Sequence, residues 1–418
     1  MERRRVDLAV VGAGAAGLMA AIWAGRTGRC GSIVLLDGAA RLGAKILIAG
    51  GGRCNVTHHA VDESAFAGSS RHAIKKVLRR YGVPETVEFF RELGVELKRE
   101  ETGKLFPTSD RARTVLDALL AAAGRAGAEL IHPWRVEAIE PREEAFLLRG
   151  PAGELEARRI VLATGGKSLP KSGSDGAGFA LAESLGHSVT PRLFPALVAL
   201  HLASACFLTR LSGIAAPAAV EVRDGKGRRG VAFTGAVLCT HFGVSGPAIL
   251  DVSRYYLQAR FEDEAARLHL NWLPGESETS VDAALRDLKG SSPGRWLAGR
   301  LPERLARALC EEAGIDPATP GHGLTREGRR ALAALCTAMP LPVVGDRGWN
   351  YAEVTAGGVP LAEIRLETME SRLRPGLHFC GEICDVDGRI GGFNFQWAWS
   401  SGYTVGVSVA PEAAPREA

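Results

Sequence analysis

The first apolar run, Val6-Asp7-Leu8-Ala9-Val10-Val11, has five apolar residues in six and no alternation with polar ones. A strand covered on both faces of a parallel sheet reads this way, whereas a strand with one wet face alternates. The run stops at Gly12, and helical spacing takes over from Ala15 to Thr27. Ser32 to Leu36 repeats the strand pattern and ends at Asp37. Further on, the pattern predicts two helices over 71–93, broken by Gly82-Val83-Pro84, and a hairpin from Val95 to Phe106 turning at Thr102-Gly103. A helix follows from an Asp110 cap to about Arg125, then a strand at Ala128–Ile131 and a meander over 134–140 and 145–156. Arg158 to Ala163 reads as another buried strand, closed by Thr164-Gly165-Gly166, and a helix ends at Gly186. Between Pro191 and Leu270 the pattern becomes short strands and glycine turns; residues 281–337 are helical. Strand patterns return near 353–359 and 377–380, and a last helix begins near Asn394. Such an arrangement predicts an α/β chain. A Rossmann-like domain is expected, split over 1–190 and 356–418, with a small β domain (191–280) and a helical segment (281–355) inserted.

The turn after the first strand is G-x-G-x-x-G: Gly12 permits the tight turn, Gly14 admits a pyrophosphate to the backbone, and Gly17 lets the helix pack on the strand. The helix beginning at Ala15 and Ala16 aims its positive end at that pyrophosphate. Asp37 stands 20 residues after Gly17, where an acid grips a ribose hydroxyl. A signal-peptide reading of Met1–Gly25 has Arg3, Arg4 and Arg5 in its favour, but Asp7 interrupts the join and the apolar stretch holds the whole fingerprint. The same glycines speak against a membrane helix there. Gly50-Gly51-Gly52 lies between Ile46-Leu47-Ile48-Ala49 and Arg53-Cys54-Asn55 rather than among linker residues, which predicts a loop pressed against a ligand. Ala163-Thr164-Gly165-Gly166 ends a strand where an open α/β sheet places its ligand.

Together with Gly381-Glu382, Asp385-Val386-Asp387-Gly388 and Gly391-Gly392-Phe393-Asn394, these motifs resemble the BaiN-type NAD(P)/FAD-dependent oxidoreductases of the two-dinucleotide-binding-domain flavoprotein superfamily. The resemblance spans both ends and the middle of the chain and implies that the split domain binds FAD. It adds Lys45, Gly51, Gly52, Arg53, Cys54 and Asn55 to the expected cofactor contacts. It also implies Val136 as a main-chain partner for adenine and Glu382 as an acid on the ribityl chain or phosphate. The turn Gly391-Gly392-Phe393-Asn394-Phe395 would aim a helix N-terminus at the flavin's N1 and C2 carbonyl. Thr355-Ala356-Gly357-Gly358-Val359 looks similar to a stretch in fumarate-reductase-like flavoproteins, which favours reaction at an activated double bond or a ketone-adjacent C–H.

Composition narrows the class further. The 418 residues are 46% hydrophobic and 23% charged, with a net charge of +4 spread along the chain, so neither nucleic acid nor membrane is an expected partner. The eight scattered cysteines have no zinc or disulfide spacing, no metal is expected, and a reduced cytoplasmic protein is the simplest reading. The expected activity is hydride transfer between FAD and a small organic substrate, with NAD(P)H as the other redox partner; no second G-x-G-x-x-G is present to hold it, which also fits an oxidase using oxygen. His241, in Cys239-Thr240-His241-Phe242-Gly243-Val244-Ser245-Gly246-Pro247, is the candidate proton-transfer residue. Cys54 beside Arg53 is a candidate low-pKa thiol. Two alternatives remain: an FAD-dependent RNA-modifying enzyme using the basic stretch Arg71, Lys75, Lys76, Arg79 and Arg80, and a non-enzymatic flavin-binding redox sensor. Oligomeric state is not legible.

Overall fold

The structure is a computed structural model that describes residues 4–151 and 153–409. The chain divides into two compact units, Met1–Phe194 with Glu353–Ala418 and Pro195–Ala352. In the first, five parallel strands run side by side in the order Ala128–Ile131, Ile33–Leu36, Arg4–Val11, Gly153–Leu162, Leu377–Phe379. Their register is level: Val11 lies beside both Leu36 and Leu162, Leu36 beside Ile131, and Leu162 beside Phe379. Five strands therefore end along one edge, and the residues that follow them share it: Gly12, Asp37, His132, Ala163 and Cys380. This is why segments far apart in sequence build one site. The apolar runs are fully covered, with Leu8, Ala9, Val10, Ile160, Val161 and Leu162 all at 0% exposure, as expected for strands with helices on both faces.

The fingerprint helix (Ala15–Arg26) packs against the last helix (Phe393–Ser408) through two glycines. A Cβ on Gly402 would stand 2.6 Å from the Ala16 carbonyl oxygen, and one on Gly406 would stand 2.7 Å from that of Ala20. The close approach makes the C-terminal segment a second wall of the strand-end edge.

Several local expectations shift. Asp110 does not cap the helix Ala112–Arg125; it sits at φ +52 with its carboxylate on Lys98, and Arg111 is the N-cap residue without a side-chain bond. The strand beginning at Arg158 is the end of one continuous strand, Gly153–Leu162, whose first half pairs antiparallel with Phe146–Gly150. Val136 lies in the extended link before the strand Ala138–Pro141, not within the meander strand.

The second unit is a seven-stranded antiparallel sheet with a helix, Pro247–Glu262, on one face and helices at Glu278–Arg286, Pro293–Ala298, Glu303–Glu312 and Arg326–Thr337. Val220, Leu268 and Leu270 of the strands share one core with Leu305, Leu309 and Leu332 of the helices. The segments read separately as 191–280 and 281–355 thus form a single unit, because their apolar faces bury against each other in that one core. Among the described residues, no helix is long and apolar enough to cross a membrane, and no cluster of His, Cys, Asp or Glu could hold a metal ion.

Candidate functional site: the strand-end edge

The three fingerprint glycines do different things. Gly12 has φ +105, and a Cβ there would lie 2.4 Å from the Ala163 carbonyl oxygen; a Cβ on Gly17 would lie 1.9 Å from that of Gly12. Both are required by the protein's own packing. A Cβ on Gly14 would meet no protein atom within 4 Å, and Gly14 is the N-cap of the fingerprint helix with no side chain bonded to its free N–H groups. Nothing in the protein's own packing therefore requires a glycine there, and the helix end beside it carries no side-chain cap. Ala15 is half-buried and Ala16 buried behind it. Asp37 closes the turn from below: Oδ2 accepts from Ala13 N–H at 2.7 Å and Oδ1 from Ala39 N–H at 2.8 Å. Across the edge, Ala163 N–H donates to Val11, Gly165 has φ +74, and the Gly166 carbonyl accepts from Gly176 N–H. A methyl on Gly178 would collide with Thr164 Oγ1 at 1.8 Å, so the Thr164 side chain is locked toward that helix. The Val136 backbone makes no backbone hydrogen bond among the described residues, while its neighbour Glu137 donates its N–H to Arg149 C=O.

The glycine triplet is a left-handed run: φ is +57, +69 and +86 at Gly50, Gly51 and Gly52, and Cys54 follows at +62. Regular helix from Ala44 ends at Ala49. A Cβ on Gly51 would meet nothing within 4 Å. Asn55 beneath the loop is 7% exposed, and its Oδ1 has no hydrogen-bond partner. A buried amide oxygen left without a donor is a costly feature that a ligand N–H or hydroxyl would relieve. One expectation for this loop fails. Burial pushes the Cys54 thiol up to about 12, so it is no low-pKa nucleophile. The neighbouring Arg53 guanidinium pairs with Glu100 at 2.6 Å and lies 4.0 Å from the Phe106 ring.

Glu382 is expected on the ribityl chain, but here its carboxylate is engaged by the protein. Lys45 Nζ donates to Oε2 at 2.6 Å, while Ser168 Oγ and Thr355 N–H both donate to Oε1 at 3.0 Å. Lys45 also reaches Ser168 Oγ at 2.8 Å. A Cβ on Gly166 would stand 2.3 Å from Thr355 Oγ1 and 2.7 Å from Glu382 Oε1. Thr355 opens the glycine-containing stretch Thr355–Val359, whereas nothing in its residue type marks Ser168, which stands two residues after Gly166. At the last helix, Gly391 and Gly392 have φ +123 and +96, and a Cβ on Gly392 would press 2.6 Å into the Thr57 backbone. Asn394 is spent on the chain itself: Oδ1 accepts from Gly388 N–H and Nδ2 donates to Gly388 C=O, at 2.8 and 2.9 Å. Phe393 stacks on His58 at 4.9 Å and Phe395 on Trp399 at 5.5 Å, so both rings brace the turn. Gly381 N–H donates to Ser401 Oγ and its carbonyl accepts from Trp397 Nε1.

His241 belongs to the second unit. With Phe242 it forms a two-residue turn between paired Thr240 and Gly243, and it is exposed.

Open backbone at Gly14 with an acid at the end of the second strand, and an open glycine at Gly51 with an orphaned Asn55 oxygen in the glycine loop, fit an elongated ligand with a pyrophosphate and a flat ring. The fold and site define a dinucleotide-binding flavoprotein of the oxidoreductase class. The family model described as the HI0933-like protein Rossmann domain matches residues 6–408, and the chain belongs to that family. It is 34% identical over 408 residues to the 3-dehydro-bile acid delta(4,6)-reductase of Clostridium scindens, covering 96% of this chain and 98% of the relative. It is 32% identical over 406 residues to the ribosomal RNA dihydrouridine synthase of Escherichia coli, covering 96% of each. Among solved structures, the 3-ketosteroid delta1-dehydrogenase of Sterolibacterium denitrificans matches with a TM-score of 0.52 at 14% identity over 97% of this chain and 99% of that one. The E. coli quinol fumarate reductase FrdA matches with a TM-score of 0.52 at 16% identity over 98% of this chain and 70% of that one. At that identity these two establish the shared fold. The chain is an FAD-dependent oxidoreductase by family.

Proposed function

We propose that this protein reduces a carbon–carbon double bond conjugated to a carbonyl in a small organic molecule, with NAD(P)H supplying the reducing equivalents. The observation that carries the reading is the strand-end edge, bare of side chains at Gly14 and Gly51, in a chain that matches a relative named as a reductase over 96% of its length. FAD, when bound, supplies the hydride chemistry at its N5. The chain's own part is to hold and to polarise. Gly12, Gly14, Gly17 and the helix end at Ala15 would take the pyrophosphate, Asp37 the ribose, and Val136 the adenine. Gly51, Gly52 and Asn55 would meet the ring system, while the helix N-terminus at Gly392 stabilises negative charge that develops beside it. The Lys45–Glu382 pair fixes Gly166 and Thr355 across the edge. His241 is the proposed proton donor to the substrate carbon that does not receive hydride. The sum is substrate + NAD(P)H + H⁺ giving the saturated product + NAD(P)⁺.

The RNA-modifying alternative is weaker on surface charge. Of the five basic residues over 71–80 that suggested it, Lys75 is paired with Glu63 at 2.6 Å and Lys76 with Glu367.

The test is anaerobic: the FAD-loaded protein is titrated with NADH and with NADPH, then given a 3-oxo-4-ene steroid carrying a side-chain carboxylate or the methyl ester of that acid. Bleaching by one nicotinamide, followed by recovery of flavin colour and a product two hydrogens heavier, is expected. No bleaching by either, or bleaching that no enone reverses, sinks the proposal. His241→Ala is expected to retain FAD and to lower enone turnover by about 100-fold, the usual size of one general acid. Turnover equal to wild type on every active enone would make His241 structural.

A further inference from the structure

Of the cations beside the glycine loop of the first unit, Lys45 is engaged by Glu382 and Arg53 by Glu100, each at 2.6 Å. Lys104 is different. It is half-buried, and among the described residues no carboxylate lies within ion-pair distance of its ammonium. Its place is nevertheless closely fixed. The strand Thr57–His58 pairs antiparallel with Lys104–Pro107, so His58 and Lys104 stand directly opposite and share a face. Both of them meet the turn that opens the last helix. The His58 ring stacks on Phe393 with centroids 4.9 Å apart and planes 21° apart. A Cβ on Gly391 would stand 3.5 Å from Lys104 Cε and 3.8 Å from its Cγ, so the lysine stem runs along the bare side of that glycine. Gly392 is backed by Thr57, whose carbonyl carbon would lie 2.6 Å from an added Cβ. The two ring nitrogens of His58 lie 2.8 and 3.1 Å from the carbonyl oxygens of Ala60 and Thr102, which leaves the ammonium as the group able to face a ligand.

The helix Phe393–Ser408 has no side-chain cap at Gly392 and no acid in its first turn. Its free N–H groups and the Lys104 ammonium therefore bring charge of one sign to one turn, an arrangement unfavourable to the helix on its own. An Asp or Glu in the first turn would offset it locally; the chain has bare glycines there instead. The strand that carries His58 is also preceded by Asn55, 7% exposed, whose Oδ1 has no partner. A ligand with negative charge at this turn relieves the conflict. Two electrons and one proton, delivered as hydride from NAD(P)H, leave a flavin with one negative charge shared by N1 and the C2 carbonyl. A cation beside that charge binds the reduced cofactor more tightly than the oxidised one, which raises the reduction potential.

We propose that Lys104 sets the reduction potential of the flavin, by opposing the charge that reduction places at N1 and the C2 carbonyl. Lys104 can act in this way only if the Gly391–Gly392 turn faces that end of the flavin, as in the reading above; no particular substrate is required.

Lys104→Met and Lys104→Gln remove the charge and keep most of the stem, and Lys104→Arg keeps the charge. The full-length, FAD-loaded proteins are reduced anaerobically beside a reference dye of known potential, and the cofactor-free proteins are titrated with oxidised FAD. Both neutral variants are expected to bind oxidised FAD as wild type does and to lose about 10-fold or more of the preference for the reduced form, a fall of about 30 mV or more for a two-electron couple. Lys104→Arg is expected to keep that preference within about 2-fold. An unchanged thermal melt of the cofactor-free variants certifies the fold. The proposal is overturned by a potential that is unchanged in the neutral variants, by an equal fall in Lys104→Arg, or by neutral variants that no longer bind oxidised FAD, which would make Lys104 a contact of the cofactor's phosphates. Enone turnover in a protein whose potential ignores Lys104 would sink this proposal and leave the reductase reading standing. A potential that falls in both neutral variants, in a protein that reduces no enone, would do the reverse.

Discussion

A Cβ at Gly17 would sit 1.9 Å from the Gly12 carbonyl oxygen, whereas one at Gly14 would meet no protein atom within 4 Å. The two positions therefore separate folding from binding. Gly14→Val is expected to leave the thermal melt of the cofactor-free protein nearly unchanged and to abolish FAD binding; retention of stoichiometric FAD would show that no phosphate approaches there. Gly17→Ala is expected to destabilise the cofactor-free protein by about 1–3 kcal/mol or more, because backbone must move to admit the methyl. These roles are legible from spacing alone, since each glycine's constraint comes from atoms a few residues away in a turn of fixed geometry. Cys54 is the opposite case. Its neighbour Arg53 suggests a lowered thiol pKa, but the side chain's total burial decides the matter and pushes it up to about 12. Burial of one residue is a property of everything packed around it, and no neighbouring letter carries it.

The strand Leu377–Phe379 illustrates how an element inherits chemistry from its place in the sheet. Its middle residue, His378, is 3% exposed, and burial pushes its pKa from the ordinary 6.5 down to about 4. Between those values the unfolded chain binds the proton that the folded one refuses. The stabilising difference is thus fully present above about pH 6.5 and is lost as pH falls toward 4, by about 3 kcal/mol at the lower end. His187, also lowered mainly by burial, acts in the same direction. Urea unfolding at pH 7.5 and at pH 4.5 should therefore show a smaller acid loss in His378→Met than in wild type; equal losses would remove His378 from the account. Strands and helices at this scale were mostly readable, because a run of apolar residues or a 3.6-residue period is local. The Asp110 cap was not: a side chain that caps in principle is diverted to Lys98 by a strand that comes to lie beside it.

Across the whole molecule, the chain leaves the first unit and returns to it at neighbouring points. Thr190 N–H donates to Gly358 C=O at 3.0 Å, and Gly358 N–H donates back to Thr190 Oγ1 at 2.9 Å. Every expected FAD contact lies in the first unit, so a chain in which 195–352 is replaced by a short Gly/Ser linker is expected to bind FAD and to lack enone turnover. Loss of FAD in a folded protein of that design would place a cofactor contact in the second unit. The sequence by itself determined the dinucleotide fingerprint, the parallel strands, the split of the first domain and the glycine clusters at strand ends. It did so because turn geometry, left-handed backbone and full burial of a strand each impose a requirement on residues close together in the chain. Only the tertiary structure decided that Lys45 meets Glu382 across 337 residues, that Asn394 is spent on Gly388, that the strands and helices of the second unit share one core, and that Arg347 lies against Phe242. Those meetings depend on which strand ends fall level along a sheet and which turns face each other, and no periodicity within a single segment encodes them.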